Sequence, residues 1–294
     1  MSLNILERFP LKDLTTYKTG GEARYFASPT DEQEVLDYVS FSQKAKLPLI
    51  VIGGGSNVLI ADGLLDACVM SSLMLNAIDI LGETDQYVTI SAGTGVSTKA
   101  LLAFCLEHSL TGAEFLTGIP GTLGGALYGN AGAQGETIEP IFRSARVVTK
   151  DLKVNNVARD KLTFSYRKLA WLEEPVCILS MVLSMQKTEI ESVRQKIAHF
   201  AACKKGQPIG AKTAGCVFKN PGNGISAGKL IDQMGGKDLQ VGGAAVSHCH
   251  ANFIENKANA TSTDIYNLDC LIKQKIQKTF GITLENEIKF LGKF

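Results

Sequence analysis

The segment TGIPGTLGGALYGNAGAQG, from Thr117 to Gly135, carries too few large side chains to fill a core by itself. Between Thr111 and Gly135 there are eight glycines. Such a segment is either a disordered linker or a wall along which a large planar or phosphorylated ligand touches the backbone. The apolar residues interleaved with the glycines argue against a linker: Ile119, Leu123, Leu127 and Tyr128. We therefore predict ligand contact along this segment.

A second glycine-rich segment, GGGSNVLI (Gly53 to Ile60), follows the apolar run LPLIVI, which we interpret as a buried strand. Consecutive glycines permit positive φ and let backbone N–H groups converge on an anion. A dinucleotide fingerprint would need glycine at Val58 and a helix directly after the turn, and neither is present. The sequence thus argues against a Rossmann fold.

Other nucleotide and hydrolase motifs fail on spacing. GISAGKL is one residue short of a triphosphate-binding loop, and Leu230 stands where Ser or Thr would hold magnesium. No G-x-S-x-G elbow occurs in the chain. We therefore reject a kinase or an ATPase, and a serine hydrolase has little support.

Helical and strand patterns alternate along the chain. Thr30 and Gln33 predict a capping box for a helix that Pro48 stops, and Ser97 predicts the cap of another. The remaining predicted elements are strands at YVTISAG, VVTK, VCILSMVLSM and LENEIKFLG, a helix from Glu189 to Lys205, a short helix in SAGKLIDQMGG and a long helix in TSTDIYNLDCLIKQKIQKTF that Gly281 ends. This mixture predicts an α+β chain with a boundary near residues 190 to 205.

Composition excludes several classes of partner. The 294 residues suggest two or three units, and 45% of them are hydrophobic against 20% charged. The formal charge of +1 gives no global field, so we do not expect nucleic acid as a partner. Glu7 and Arg8 interrupt the start, and no apolar run reaches 18 residues. We expect a cytoplasmic protein with no membrane contact.

The seven cysteines do not predict a disulfide framework, because their number is odd and no Cys-x-x-Cys pair occurs. Most sit in apolar contexts and are interpreted as packed hydrophobes. Cys216, in TAGCVFKNP (Thr213 to Pro221), alone has polar neighbours on both sides. The cluster His248, Cys249, His250 lacks a second group to complete a shell, so we predict no metal site.

Three side chains remain as a candidate constellation: Arg167 in SYRK, Cys216, and Glu287 near the end of the chain. Singly, each has an ordinary alternative as a surface cation, a packed thiol or a solvated carboxylate. The pair Lys204, Lys205 suits a helix C-terminus and equally suits phosphate binding. Together with the glycine segments, the thiol segment and the acid-rich end suggest a flavoenzyme.

These residues and motifs are similar to those of a known family. The chain resembles the UDP-N-acetylenolpyruvoylglucosamine reductases, the flavoenzymes of peptidoglycan synthesis, over nearly its whole length. The matching segments are TTYKTGGEARYF, IGGGSNVLI, GIPGTLGGALYGNAGAQGE, FSYR, AGCVFKNP, AGKLIDQMGGKDLQVGGAAVS with HANFI, and LENEIKFLG. The resemblance implies an FAD-binding unit of the vanillyl-alcohol-oxidase (PCMH) type with two subdomains, residues 1–190, and an α+β substrate domain, residues 191–294. The short chain resembles the compact variety of the family.

The resemblance also implies the chemistry. Noncovalent FAD, recharged by NADPH as co-substrate, delivers hydride to UDP-N-acetylglucosamine enolpyruvate, and the product is UDP-N-acetylmuramate. By position, Arg167 and Glu287 stabilise the enolate-like intermediate, and Cys216 is the proton donor. Serine is more common at the donor position, and a thiol, whose reference pKa is about 8.5, is the better acid.

The contacts with ligands follow from the same segments. The residues expected to bind FAD lie in the two glycine-rich segments: Gly53, Gly54, Gly55, Ser56, Asn57, Thr117, Gly118, Pro120, Gly121, Gly124 and Gly125. Lys219 and Asn220 are expected to bind the UDP-sugar, and we expect a monomer. Two other functions stay open: another FAD oxidoreductase of the same fold, or a catalytically silent nucleotide-binding protein.

Overall fold

The structure, a computed structural model, describes residues 3–173, 175–222 and 224–294. The chain divides into two compact units that are discontinuous in sequence. The first unit comprises Phe26–Gly54 and Cys68–Lys205 with the first residues of the chain; the second comprises Glu7–Tyr25, Gly55–Ala67 and Gly206–Phe294. This division does not test the predicted domain limits of 1–190 and 191–294, which stay a prediction.

The helices are α1 (Glu32–Ala45), α2 (Thr98–Glu107), α3 (Leu123–Tyr128), α4 (Ile190–Cys203), α5 (Ala227–Gln233) and α6 (Ser262–Phe280). No helix in the described part of the chain is long and apolar enough to cross a membrane. The helices predicted from periodicity are confirmed, and Gly281, with φ 69°, ends α6 in the left-handed conformation that glycine adopts readily.

Short strands make up most of the remaining regular structure. As far as Thr111 they are β1 (Leu6–Pro10), β2 (Glu22–Ala27), β3 (Leu49–Ile52), β4 (Val58–Ile60), β5 (Leu64–Ser71), β6 (Ile78–Glu83), β7 (Tyr87–Gly93) and β8 (Leu110–Thr111). The later ones are β9 (Gly132–Ala133), β10 (Glu136–Thr137), β11 (Phe142–Val148), β12 (Val154–Ala158), β13 (Leu162–Ser165), β14 (Lys168–Trp171), β15 (Cys177–Lys187), β16 (Gln240–Val241), β17 (Ala244–Val246), β18 (Ile254–Asn256) and β19 (Lys289–Leu291).

An antiparallel sheet of order β12-β11-β15-β7-β6 forms the centre of the first unit, and β8 also pairs with β15. Along β15, buried residues alternate with half-buried ones, which is the period of a strand with one face on a core. That core includes Ile90 and Leu183 from the sheet and Leu101 from α2. In the same unit β3 pairs in parallel with β5, so the strand predicted at LPLIVI is confirmed. Its predicted burial is wrong, because Val51 is exposed and Ile52 is the one buried residue of β3.

The predicted capping box of Thr30 with Gln33 is wrong by one position. Asp31 is the N-cap of α1, and its carboxylate accepts the N–H of Glu34 at 2.9 Å. The Glu34 carboxylate reaches back to the N–H of Thr30 at 2.8 Å. A carboxylate is at least as good a cap as a hydroxyl, so Asp31 displaces Thr30 from this role.

In the second unit α6 packs its apolar face on a core that includes Leu268 and Ile272. A capping box between Thr261 and Asp264 starts this helix. Strands β16, β17 and β18 form an antiparallel sheet, and β4 pairs in parallel with β19. The strand predicted over LENEIKFLG is shorter than expected, because Asn286 forms only an isolated bridge and regular pairing begins at Lys289.

All the cysteines are free thiols. Cys68, Cys105 and Cys177 are buried, as a packed hydrophobe is expected to be. The other thiols outside the candidate site are exposed and are not packed hydrophobes: Cys203, Cys249 and Cys270.

Candidate active site

Gly53 and Gly54, at the start of one glycine-rich segment, meet the other segment within the first unit. A Cβ atom on Gly54 would lie 2.8 Å from the Cα of Gly121, and one on Gly53 would overlap the hydroxyl of Thr122. The segment after Gly121 is held by the N–H of Leu123, which donates to the carbonyl of Val96 at 2.8 Å. Glycine is thus required where these backbones approach each other, and the structure brings together residues of both segments for which ligand contact is predicted.

Two buried hydroxyls in this region fit a bound FAD. Thr117 Oγ1 and Thr122 Oγ1 are buried and have no hydrogen-bond partner among the described residues. Buried hydroxyls normally find a partner, so both are available to the polar edge of a ligand. Gly125 is exposed, and a Cβ built there would meet nothing within 4 Å, which leaves room beside the backbone. These features fit the expected cofactor.

Lys204 lies at the same wall. It follows the last turn of α4, and a Cβ on Gly118 would come 2.9 Å from its Cδ atom. Gly118 has φ 69°, so only a glycine suits both the backbone and the contact. Lys204 therefore reaches the glycine-rich segment as well as matching the dipole of α4.

Arg167 occupies the two-residue turn between β13 and β14. Its φ of 55° is in the left-handed region, which is unfavourable for a residue with a Cβ. The hairpin is held to the glycine-rich block by two hydrogen bonds of 3.0 Å, from Arg167 Nη1 to the carbonyl of Gly132 and from Asn130 Nδ2 to the carbonyl of Ser165. The strained turn thus fixes the start of the Arg167 side chain.

Cys216 belongs to the second unit, where Asn252 clamps the residues that follow it. Asn252 is buried, and its side chain both accepts the N–H of Phe218 at 3.0 Å and donates to the carbonyl of Phe218 at 2.8 Å. The N–H of Val217 donates to the Asn252 carbonyl at 2.8 Å. Asn252 lies in the segment HANFI and had no predicted role, because its contacts with Phe218 form only when distant parts of the chain fold together.

His250 supports this clamp. Its Nδ1 accepts the N–H of Asn252 at 3.2 Å, which requires an unprotonated nitrogen. Burial lowers the pKa of His250 below its ordinary value and so favours the neutral ring.

Glu287 lies along the other edge of the Cys216 segment. Its N–H donates to the carbonyl of Val217 at 2.8 Å, and the N–H of Lys219 donates to the carbonyl of Glu285 at 2.9 Å. The structure therefore brings the segments of Cys216 and Glu287 side by side, whereas Arg167 belongs to the other compact unit.

Asn57, expected to bind cofactor, contacts the Glu287 segment. Its Nδ2 donates to the carbonyl of Glu287 at 3.2 Å, and its own carbonyl accepts the N–H of Lys289 at 2.9 Å. Among the residues expected to bind cofactor, Gly53 and Gly54 lie in the first unit, and Gly55 and Ser56 lie in the second with Asn57.

The residues expected to bind substrate, Lys219 and Asn220, both have partners in the second unit. Lys219 Nζ lies 3.3 Å from a carboxylate oxygen of Glu285. Asn220 Oδ1 accepts the N–H of Ala227 at 3.1 Å, which orients its amide nitrogen as the remaining donor.

The chain matches known proteins over both of its parts. Residues 207–291 match the C-terminal domain of UDP-N-acetylenolpyruvoylglucosamine reductase, and residues 23–157 match an FAD binding domain. Reductases of this name from Caldicellulosiruptor bescii and Latilactobacillus sakei are 34% and 36% identical to this chain, each over 99% of it, and the matches cover 92% and 95% of those proteins.

A solved structure agrees. The crystal structure of UDP-N-acetylenolpyruvylglucosamine reductase from Thermus caldophilus matches with a TM-score of 0.83 and 29% identity, over 99% of this chain and 100% of that one. The expected fold, α+β with an FAD-binding unit of the vanillyl-alcohol-oxidase type and a further α+β domain, is confirmed. The chain belongs to the UDP-N-acetylenolpyruvoylglucosamine reductase family.

Proposed function

We propose that the chain reduces UDP-N-acetylglucosamine enolpyruvate to UDP-N-acetylmuramate for peptidoglycan synthesis, with FAD as cofactor and NADPH as reductant. One observation supports this most directly. The hydrogen bond from the N–H of Glu287 to the carbonyl of Val217, 2.8 Å long, sets Glu287 beside the segment of an ionisable thiol. A family member needs a proton donor and a carboxyl group near each other for this reaction.

FAD, when bound and reduced, would supply hydride to the enolpyruvyl group, whose methylene carbon would become a methyl group. The α-carbon and its carboxylate then carry the negative charge. Cys216 Sγ gives its proton to the α-carbon, which completes the lactyl ether, and the thiolate regains a proton from water. A thiol is suited to this step because its reference pKa, about 8.5, lies near the operating pH.

Arg167 and Glu287 are proposed to stabilise the enolate-like charge. A guanidinium remains positive at every physiological pH, and a preorganised cation lowers the energy of a developing anion in a dry site. Glu287 serves best with its carboxyl protonated, or by orienting another donor toward the anion.

Lys219 and Asn220 are proposed to bind the UDP-sugar. Diphosphate oxygens need donors, and the Asn220 amide nitrogen and the Lys219 ammonium are both donors. In the ion pair between Lys219 and Glu285, the Glu285 carboxylate is mostly exposed. An anionic ligand can therefore replace it as the partner of Lys219 at small cost in free energy. The cytoplasmic location and the monomeric state also remain proposals.

The test is turnover by the purified holoprotein under anaerobic conditions. NADPH should bleach the flavin, and UDP-N-acetylglucosamine enolpyruvate should restore its colour with formation of UDP-N-acetylmuramate, identified by mass. Another FAD oxidoreductase would be bleached by NADPH but not reoxidised by this substrate. A silent nucleotide-binding protein would show neither change.

A further inference from the structure

Helix α6 carries a fully buried carboxylate that the proposed chemistry does not use. Asp269 is 0% exposed and lies among Ile265, Leu268 and Ile272, which are buried to the same degree. Burying an ionised carboxylate is costly unless close partners satisfy it. Its partners therefore indicate what it does.

Asp269 has two partners that also contact each other. Its Oδ2 lies 2.8 Å from Nζ of Lys273, one helical turn away, and its Oδ1 accepts a hydrogen bond from Asn286 Nδ2 at 2.5 Å. Lys273 Nζ donates to Asn286 Oδ1. Both ends of the Asn286 amide are thus bound by opposite charges; we name these three residues the Asp269 network.

The Asp269 network touches both segments of the candidate site. Asn286 forms an antiparallel bridge with Phe218, directly beside the hydrogen bond from the N–H of Glu287 to the carbonyl of Val217. Lys273 Nζ also lies 5.9 Å from the ring centroid of Phe218 and 5.8 Å from that of Phe290, within the range of cation–π attraction. One ammonium group therefore contacts residues on each side of the bridge.

The electrostatics of Asp269 indicate that it holds the local geometry and does not increase the free energy of unfolding. Burial raises the pKa of Asp269 above its ordinary value, and the opposing effects of Lys273 and Asn286 are smaller. A carboxyl group with a raised folded-state pKa adds stability below its unfolded pKa and loses that advantage as pH rises through the folded value. The ionised form of Asp269 is therefore a net cost to folding. Among the described residues, Lys273, Tyr17 and Tyr266 are titratable groups that interact electrostatically with Asp269.

We infer that Asp269 and Lys273 are positioning residues for the protonation step, acting through Asn286 to hold Glu287 in register with the segment of Cys216. Neither residue needs to contact substrate for this role. The expected effect on protonation rests on the proposed function. The expected effect on the register of Glu287 and the Cys216 segment rests on the geometry alone.

The first test replaces the buried pair with apolar side chains in the holoprotein, as D269L with K273M. Replacing a buried ion pair by apolar residues is often neutral or stabilising, so the melting temperature should stay the same or rise. Flavin reduction by NADPH should be unchanged, whereas reoxidation by UDP-N-acetylglucosamine enolpyruvate should slow by about 10- to 100-fold, the effect of a small misplacement. A structural role alone would lower stability and both half-reactions together.

Matched variants sharpen this comparison. K273R keeps the cation and should retain most of the reoxidation rate. D232N removes an exposed partner of Lys237, 3.1 Å away, and should leave both half-reactions unchanged. N286A cuts the link and leaves Lys273 as the partner of Asp269, and it should reproduce the slow reoxidation even if the double variant does not fold.

Hydrogen exchange provides a readout that needs no substrate. The amides of Lys219 and Glu287 donate across the bridge, and in the double variant and N286A they should exchange at least about 10-fold faster, as local opening becomes easier. If the substrate does not reoxidise the wild-type protein, the proposed function is wrong. The exchange rates of the variants would still test the positioning role. If both variants show the amide exchange rates and the reoxidation rate of the wild type, the inference is wrong.

Discussion

Asn57 donates a hydrogen bond from its side-chain amide to the backbone carbonyl of Glu287 at 3.2 Å, across 230 residues of chain. The next residue, Val58, pairs with Lys289 where β4 and β19 begin. The glycine-rich segment that was expected to bind cofactor therefore also fixes the position of the proposed acidic group. Two segments with proposed functions thus meet at one side chain.

N57A should separate these two roles. Loss of the hydrogen bond to Glu287 should slow flavin reoxidation by substrate about 5-fold, since a hydrogen bond of this kind contributes about 1 kcal/mol. FAD content should stay near that of the wild type, because the observed contact of the side chain is with Glu287. Absorbance of the purified protein and rapid mixing with substrate measure both quantities.

N155A, on the exposed part of β12, is the control for Asn57 and should change neither quantity. If N57A instead loses its FAD, the side chain serves the cofactor, and its contact with Glu287 is secondary.

The role of Cys216 can be measured with C216S and C216A. Serine keeps an ionisable hydrogen and should retain measurable turnover, whereas alanine should lose about 10²-fold or more, as expected for removal of a general acid. Reduction of the flavin by NADPH should be almost unchanged in both, because protonation belongs to the second half-reaction. Rapid mixing of each reduced variant with substrate gives the rates.

An alkylating reagent should inactivate the wild type, and bound substrate should protect it. Alkylation at the exposed Cys270, mapped in the same digests, should proceed with or without substrate. Unchanged reoxidation in C216A would remove Cys216 from the mechanism.

Local signals predicted the elements better than they predicted the site. Helix α6 and its end at Gly281 follow from periodicity and one glycine, and Cys216 and Glu287 follow from motifs. The clamp by Asn252 and the ion pair of Asp269 could not be predicted, because both depend on residues brought together by folding. Even the start of α1 was misassigned by one residue, since Thr30 and Asp31 are both plausible caps.

G125V should test the cofactor wall without disturbing the protein itself. Gly125 has no neighbour within 4 Å of a built Cβ, so valine fits the apoprotein, apart from a helix-propensity change within about 1 kcal/mol. If FAD lies against this backbone, the added side chain should abolish flavin colour. G82V, on β6, has equally open space and should remain yellow. Full flavin in G125V would exclude FAD from this face of α3.

Stability should depend on pH through the cap of α6. The carboxylate of Asp264 accepts the N–H of Thr261 at 3.0 Å, and this hydrogen bond lowers the pKa of Asp264 below its ordinary 3.8. The stabilisation by this hydrogen bond is therefore present above the unfolded pKa of Asp264, and it is lost as pH falls through the lower folded value. D264N should therefore cost about 0.5–1 kcal/mol at pH 7, a modest figure because the group is largely exposed.

The difference in unfolding free energy between wild type and D264N should shrink as pH is lowered past 3.8, measured by denaturant titration at each pH. The exposed Asp238 is the control, and D238N should show no such trend. A constant difference at all pH values would mean that the charge of Asp264 does not stabilise the cap.

R167G should separate the strain at Arg167 from its proposed electrostatic role. Glycine adopts the φ of 55° without a Cβ penalty, which offsets loss of the hydrogen bond to Gly132, so the unfolding free energy should stay within about 1 kcal/mol of the wild type. Turnover should fall about 10²-fold or more, because no cation remains to stabilise the enolate-like charge. Reduction by NADPH should be spared, and R167K, a cation without a bidentate fork, should be intermediate. K46G removes another charged residue at φ 54° and should leave turnover unchanged; wild-type turnover in R167G would show that Arg167 is only a turn residue.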